Sequence, residues 1–549
     1  MADVSTNQAF HAALARALRD NGVDTLFGVM GDGNIFVVDS FARLEGCRYV
    51  AATSEASAVL MALAYASVSG KVGVATVTHG PGLTNTISGL VEGVKGQLPL
   101  LLLCGDTAAE EKEHSQDVPQ RELVVAAGAG FEQVRSPGTL PADFASALRR
   151  SHYERRPIAL NMPIEFMFAP LDYVPAVVGY PADRARVEAS EDLDNAVGII
   201  AAARRPVIIA GRGAVQARDS LLRLAERTGA LLATTLKGKD LFLGEDYDIG
   251  LAGTLSSPGA VELLLESDCI LAFGASLGWR TTSAGAFLHG ARLIQCNAEP
   301  EEIGRYARPG AWPDARLVGD PGLVADLIVH WLDVAEIEPS GQRNEDMLQR
   351  CRAAVAKPTP LLPDSGDALD IERAISTLDA AVEPGRILVT DGGRFAASPR
   401  RTMRVSEPSH YVQNWNAGAI GFGLPSAIGA AFAAPEAPVL LVTGDGGLML
   451  GGLSEFSTAL RYGVNLTVVI CNDAAYGAEH IQFRERGMDP ALSCFIWPDF
   501  ADLARAFGGA GITVRTNDDL QRALGMIGED KRPLVIDLKL DPDQMPDRD

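Results

Sequence analysis

Short, continuously apolar runs recur along the chain, each followed by an Ala/Leu-rich stretch of helical character. Examples are VGVATVT (72–78), LPLLLLCG (98–105), RPVIIAG (205–211), CILAFG (269–274), RILVTD (386–391), PVLLVTGDG (438–446) and NLTVVICND (465–473). A run with no polar alternation has no face to give to water. It fits a strand covered on both sides, as in parallel sheets sandwiched between helices. The chain therefore reads as α/β throughout, with three doubly wound parallel-sheet domains. Two breaks in composition divide them: the Pro- and charge-containing stretch from Pro163 to about Ala189, and residues 340–366, SGQRNEDMLQRCRAAVAKPTPLLPDSG. Both read as surface linkers. The expected domains are 1–180, 190–335 and 365–540, in keeping with a 549-residue chain and roughly 150 residues per domain.

Composition removes several classes of function. With 70 acidic against 48 basic side chains the net charge is −22, which disfavours nucleic acid and anionic membranes as partners. The hydrophobic fraction of 47% excludes global disorder. The seven cysteines are scattered without a CxxC pair, which argues against a disulfide scaffold or zinc module and for a reducing compartment. No signal peptide is evident in MADVSTNQAF, and no window approaches 18 uninterrupted apolar residues, so a cytoplasmic protein is expected. The absence of GxxxxGK[ST] disfavours an NTPase.

The strongest local signal lies in the third domain. PVLLVTGDGG ends a buried strand in Gly444-Asp445-Gly446-Gly447, LSEFSTALRYGV follows with helical character, and NLTVVI ends in Cys471-Asn472-Asp473. Two carboxylates thus stand at the carboxyl ends of two strands, the edge where open parallel sheets bind ligands. Glycines beside Asp445 let backbone N–H groups approach an anion. Carboxylates next to such a cradle suit Mg²⁺ clamping a diphosphate.

This arrangement resembles the thiamine diphosphate enzymes, a superfamily that includes acetohydroxyacid synthase, pyruvate decarboxylase and benzoylformate decarboxylase. The likeness spans nearly the whole chain, in the order pyrimidine-binding, central and diphosphate-binding domain. It implies that Asp445, Asp473 and the carbonyl of Ala475 hold the metal. One residue is inserted between Asp445 and Glu455, which leaves Asn472 as the alternative to Asp473; the spacing to Tyr476-Gly477 favours Asp473. Gly392, Gly444, Gly446, Gly447, Tyr476 and Gly477 would complete the cofactor site. In NWNAGAIGFGLPSAIGAA the carbonyl of Gly418 would accept from the aminopyrimidine, and Ile420 would be the apolar wedge that bends the cofactor.

The first domain matches independently. RYVAATSEASAVLMALAYA puts Glu55 at a helix start, where a carboxylate is favourable in any case. By the resemblance, Glu55 bonds the pyrimidine ring nitrogen and promotes the tautomer that deprotonates the thiazolium carbon. His79 in VTHGPG resembles the active-site histidine of benzoylformate decarboxylase, where acetohydroxyacid synthases carry a smaller residue. Asp32 in FGVMGDGN resembles an active-site aspartate of pyruvate decarboxylase. Gln120 in EHSQDVPQREL matches a glutamine near the reacting centre, and His114 accompanies it. After the Asn-Asp pair come Glu479, similar to an acid–base glutamate of pyruvate decarboxylase, and His480. Gln482 stands near the place of a specificity tryptophan in acetohydroxyacid synthases. Asp32, His79, Glu479 and His480 would supply tunable acid–base groups.

In the central domain Arg280 resembles an arginine that faces a second substrate. Ala252 replaces the histidine of the FAD-holding synthases, so FAD is admitted but not favoured. The implied activity is thiamine diphosphate- and Mg²⁺-dependent making or breaking of a carbon–carbon bond beside a carbonyl, by an acetolactate synthase-like carboligase or a 2-oxo acid decarboxylase. The implied assembly is a homodimer or dimer of dimers with shared active sites, such as a homotetramer. A flavin- or nicotinamide-dependent oxidoreductase and a non-catalytic homologue are the rivals.

Overall fold

The computed structural model describes residues 6–111, 113–175, 177–179, 190–307, 312–356, 369–528 and 533–543. Three six-stranded sheets, all of parallel pairs, carry the fold. The first runs Arg48–Ala51, Thr25–Gly28, Gly73–Val77, Leu100–Asp106, Pro157–Pro163, Gly130–Gln133 across its width. The last runs Tyr411–Gln413, Ile387–Thr390, Val439–Gly444, Leu466–Asn472, Leu534–Lys539, Ala510–Val514. In both, the chain visits the strands in spatial order 2-1-3-4-6-5, so the two end domains share one topology. The middle sheet has the order 3-2-1-4-5-6, with Pro206–Ala210 as its first strand and Cys269–Phe273 as its fourth. Central strands such as Val439–Gly444 and Leu466–Asn472 are buried at every position, as their unbroken apolar sequence requires.

The end domains pack directly on each other. Helix Glu55–Ser69, capped by Ser54 and ended by left-handed Gly70, lies on helix Gly423–Ala433. A Cβ on Gly429 would sit 2.0 Å from the carbonyl of Met61, so this crossing is closer than any side chain permits. Ala58, Met61, Ala427 and Ile428 join the cores of both domains into one. A polar tie reinforces it: buried Glu455 accepts from the Thr53 N–H at 2.9 Å, the Thr53 hydroxyl at 2.6 Å and the Ser54 N–H at 3.2 Å.

Two linker readings change. Pro170–Tyr173 is a strand antiparallel to Thr6–Ala9. Residues 345–355 form helix Glu345–Val355, capped by Asn344, with Met347, Cys351 and Ala354 buried in the central domain. Their i, i+4, i+7 spacing is a helical stripe that the surrounding charges obscured. The remaining linker residues 180–189 and 357–366 lie outside the described residues.

Candidate active site

The two end sheets reverse strand order between their first and third strands, and the crevice at that switch point is where such sheets bind ligands. In the last domain, Asp391-Gly392-Gly393 follows the first strand and Asp445-Gly446-Gly447 the third. Asp391 is buried and ties the crevice together. It accepts from Gly392 N–H at 2.7 Å, Gly421 N–H at 3.1 Å, Gly423 N–H at 3.2 Å and the Thr443 hydroxyl at 3.1 Å. Burial pushes its carboxyl up, against these four donors. Gly446 sits where a Cβ would lie 2.5 Å from the Tyr476 ring, and one on Gly392 would meet Trp415 at 2.5 Å. Glycine is required at both positions because an aromatic ring packs against the backbone there.

Asp445 and Asp473 are both buried. Burial raises Asp445 to about 6, opposed by the Gly446 N–H. Burial and then the charge of Asp445 raise Asp473 to about 7. Asp445 Oδ1 accepts from Gly446 N–H at 2.7 Å, while its buried Oδ2 has no hydrogen-bond partner. Two desolvated carboxylates that repel each other, one with an orphan oxygen, fit a divalent cation that takes few protein ligands and shares phosphate oxygens. Asn472 is differently employed: its amide donates to Asp537 at 2.8 Å and its carbonyl accepts from Ala474 N–H at 3.2 Å. Ala474 adopts φ +54°, turning the chain between Asp473 and Ala475. Between Asp445 and Glu455 the chain makes a wide π-helical turn at Leu448–Gly452, a turn that holds one residue more than an α-helical one.

The first domain repeats the plan. Gly31-Asp32-Gly33 follows its first strand and Thr78-His79-Gly80 its third. His79 is 1% exposed, and its Nε2 has no hydrogen-bond partner. Its ring lies 5.2 Å from that of His114. Burial chiefly lowers the His79 pKa, and His114 lowers it further; Asp106 and Asp32 act in the opposite sense. Glu55, half-buried at its helix start, accepts from the Asn85 amide at 3.1 Å.

Family comparison matches the thiamine pyrophosphate enzyme N-terminal TPP-binding domain at residues 9–127, the central domain at 193–328 and the C-terminal TPP-binding domain at 391–538. A probable 2-ketoarginine decarboxylase of Pseudomonas aeruginosa is 31% identical over 93% of this chain and 90% of its own. The chain belongs to the thiamine pyrophosphate enzymes. The acetolactate synthase large subunit of Parasynechococcus marenigrum is 29% identical over 96% of this chain and 86% of its own. Isozyme 1 of the Escherichia coli acetolactate synthase large subunit is 25% identical over 98% and 96%.

In this thiamine pyrophosphate enzyme, two of the expected site residues have their polar atoms engaged by the protein. Gln120 is buried: its carbonyl accepts from Gly80 N–H at 2.9 Å, and its amide donates to the Gly105 carbonyl at 2.9 Å and to Asn161 at 2.7 Å. It holds the His79-Gly80 turn and has no polar atom left for substrate. His480 is also buried, with Nε2 2.9 Å from Asp543 and Nδ1 3.3 Å from the Ser493 hydroxyl. The ring thus ties helix Gly477–Glu485 to Asp543 and to the Pro490–Ser493 turn. Glu479 and Asp32 are exposed, as groups facing a shared cleft would be in one protomer. Asp391 was missed; a second strand ending in Asp-Gly-Gly was the available signal.

The central sheet has its own cavity, of about 660 Å³, lined by Arg212, Lys237, Ala252, Arg280, Trp415 and Asn416 among others. It opens at the switch point of that sheet, where Gly211 and Gly274 follow the first and fourth strands. Arg280 lies 4.9 Å over Trp279 and 4.6 Å over Trp415. Among the described residues no helix is long and apolar enough to cross a membrane.

Proposed function

We propose that this thiamine pyrophosphate enzyme is a cytoplasmic 2-oxo acid decarboxylase in which His79 supplies the closing proton. The observation that carries the reading is the buried, unpartnered Nε2 of His79 beside His114. A desolvated imidazole with one free nitrogen can exchange a proton with a group placed against it.

Bound thiamine diphosphate supplies a carbon nucleophile and an electron sink for the bond beside the carbonyl. Asp445 and Asp473, with the Ala475 carbonyl, would hold Mg²⁺, and the N–H groups around Gly444, Gly446 and Gly447 would receive the diphosphate. Gly392, Tyr476 and Gly477 would wall that pocket, with Gly418 and Ile420 under the cofactor's rings. Glu55 would hold a proton at the aminopyrimidine nitrogen. Asp32 and Glu479 would face the substrate, and Gln120 and His480 would fix the elements beside it. His79 Nε2 would protonate the carbon that has lost carbon dioxide; loss of the hydroxyl proton and cleavage of the bond to the cofactor would then free the aldehyde. Carboligation, the reaction named for the acetolactate synthase relatives, instead requires that this carbon meet a second carbonyl before a proton reaches it. The assembly would be a homodimer or dimer of dimers. Exposed Met30, Ile35 and Phe36 beside Asp32, and Leu492 and Ile496 beyond Asp473, support burial against another copy.

Incubation of the protein with thiamine diphosphate, Mg²⁺ and a panel of 2-oxo acids, with product identification, tests this. Carbon dioxide and the matching aldehyde are expected. Acetohydroxy acids as the sole products would reverse the reading.

A further inference from the structure

The segment between strand Tyr411–Gln413 and helix Gly423–Ala433 carries Gly418 and Ile420. Buried carboxylates grip it at both ends. On the helix side, Asp391 of the same domain takes the N–H groups of Gly421 and Gly423. On the strand side the grip comes from the other domain. Glu92, on helix Ile87–Gly96, accepts from the Asn416 N–H at 2.9 Å, the Asn416 side-chain amide at 2.6 Å and the Ala417 N–H at 2.7 Å. Glu92 is 2% exposed. A carboxylate offers about four acceptor directions, and three are committed here to two consecutive residues. Burying a carboxylate costs several kcal/mol unless donors replace its water, so Glu92 and this loop require each other. Gly418, Ala419 and Ile420 form a short bridge between the two grips, and Gly418 stands at φ +79°.

We propose that Glu92 is a positioning residue for the cofactor. It sets the strand-side end of the bridge, and thereby the placement of the Gly418 carbonyl and the Ile420 side chain. Order in a loop of the diphosphate-binding domain then depends on docking of the pyrimidine-binding domain of the same chain. The inference rests on the assignment of Gly418 and Ile420 as cofactor contacts.

The test combines thiamine diphosphate titration of the apo-protein with amide hydrogen exchange, for wild type, Glu92→Gln and Ile420→Ala. Glutamine keeps the shape but turns an NH₂ toward donors. Partners one step removed from a site typically cost 10–100-fold in affinity when altered. Glu92→Gln should therefore weaken thiamine diphosphate binding by roughly that factor. Exchange should accelerate across residues 411–421, while helices Glu55–Ser69 and Gly423–Ala433 stay protected. If the loop loosens and affinity holds, or neither changes, Glu92 has no positioning role. If Ile420→Ala leaves affinity intact, the loop's assignment to the cofactor fails, which is a separate result. Should Glu92→Gln not fold, Asn416→Ala removes one of the three bonds and should give a smaller loss of the same sign; unchanged affinity in that variant would also overturn the proposal.

Discussion

At the scale of single residues, the candidate site holds three buried groups whose protonation the fold has shifted. The Asp445 and Asp473 carboxyls are raised from 3.8 to about 6 and about 7 by burial and, for Asp473, by the neighbouring charge. Between the ordinary value and these raised ones the folded chain holds more protons than the unfolded chain. Stability of the metal-free protein therefore falls as pH rises through that window. Mg²⁺ with thiamine diphosphate should relieve this, so calorimetry should show a larger ligand-induced Tm increase above pH 7 than below pH 6. Asp445→Ala should abolish both the increase and cofactor retention while the fold persists. His79 is shifted the other way, below its ordinary value of 6.5. His79→Ala should lower turnover by about 10²–10⁴-fold with thiamine diphosphate affinity unchanged. As a proton donor His79 must be protonated, so the wild-type rate should decline as pH rises through a value below the ordinary 6.5, and that decline should be absent in His79→Ala. Residues of this kind were legible because they sit beside glycines at strand ends. The hydrogen-bond partners of Gln120 and His480 could not be read from the sequence, because a polar residue next to a site looks alike whether its partners are substrate or backbone.

At the scale of elements, the buried strands could be read almost to the residue, since a doubly covered strand leaves no polar alternation and stops at glycine or aspartate. Helix Glu345–Val355 was hidden in a charged stretch because only its narrow Met347-Cys351-Ala354 stripe is buried. The π-helical turn at Leu448–Gly452 was visible only as an awkward extra residue; it lets Asp445 and Glu455 keep their separate partners. The loop held by Glu92 and Asp391 depends on contacts 324 and 30 residues away in sequence, beyond any local pattern. Gly421 tests this packing: it has φ +88°, and a Cβ there would lie 2.9 Å from the Gly447 carbonyl. Gly421→Ala should cost roughly 1–3 kcal/mol in denaturant unfolding and weaken cofactor binding. The middle sheet makes a different prediction. Its cationic cavity is wide, but Ala252 stands in its wall where the resembled synthases carry a histidine. The purified protein should show no stoichiometric flavin absorbance, and a full complement of flavin would contradict this.

At the scale of the whole molecule, two end domains of one topology each bring a switch-point crevice: one supplies Glu55, His79 and Asp32, the other Asp445 and Asp473. The domain order was evident from composition and motif order, whereas the tight intrachain crossing of helices Glu55–Ser69 and Gly423–Ala433 was not. Apolar side chains are exposed beside Asp32 and beyond Asp473, which is why we propose that the site forms between two copies. The net charge of −22 keeps such assemblies soluble. In the proposed site one cofactor spans Glu55 of one chain and Asp445 of another. The most direct measurement mixes Glu55→Ala protein with Asp445→Ala protein, each inactive alone, under conditions where subunit exchange is verified. Random pairing makes half the dimers hybrid, each with one intact and one doubly altered site. Decarboxylase activity should return to about a quarter of the wild-type level. No recovery despite demonstrated exchange, or a fully active wild-type monomer, would contradict it.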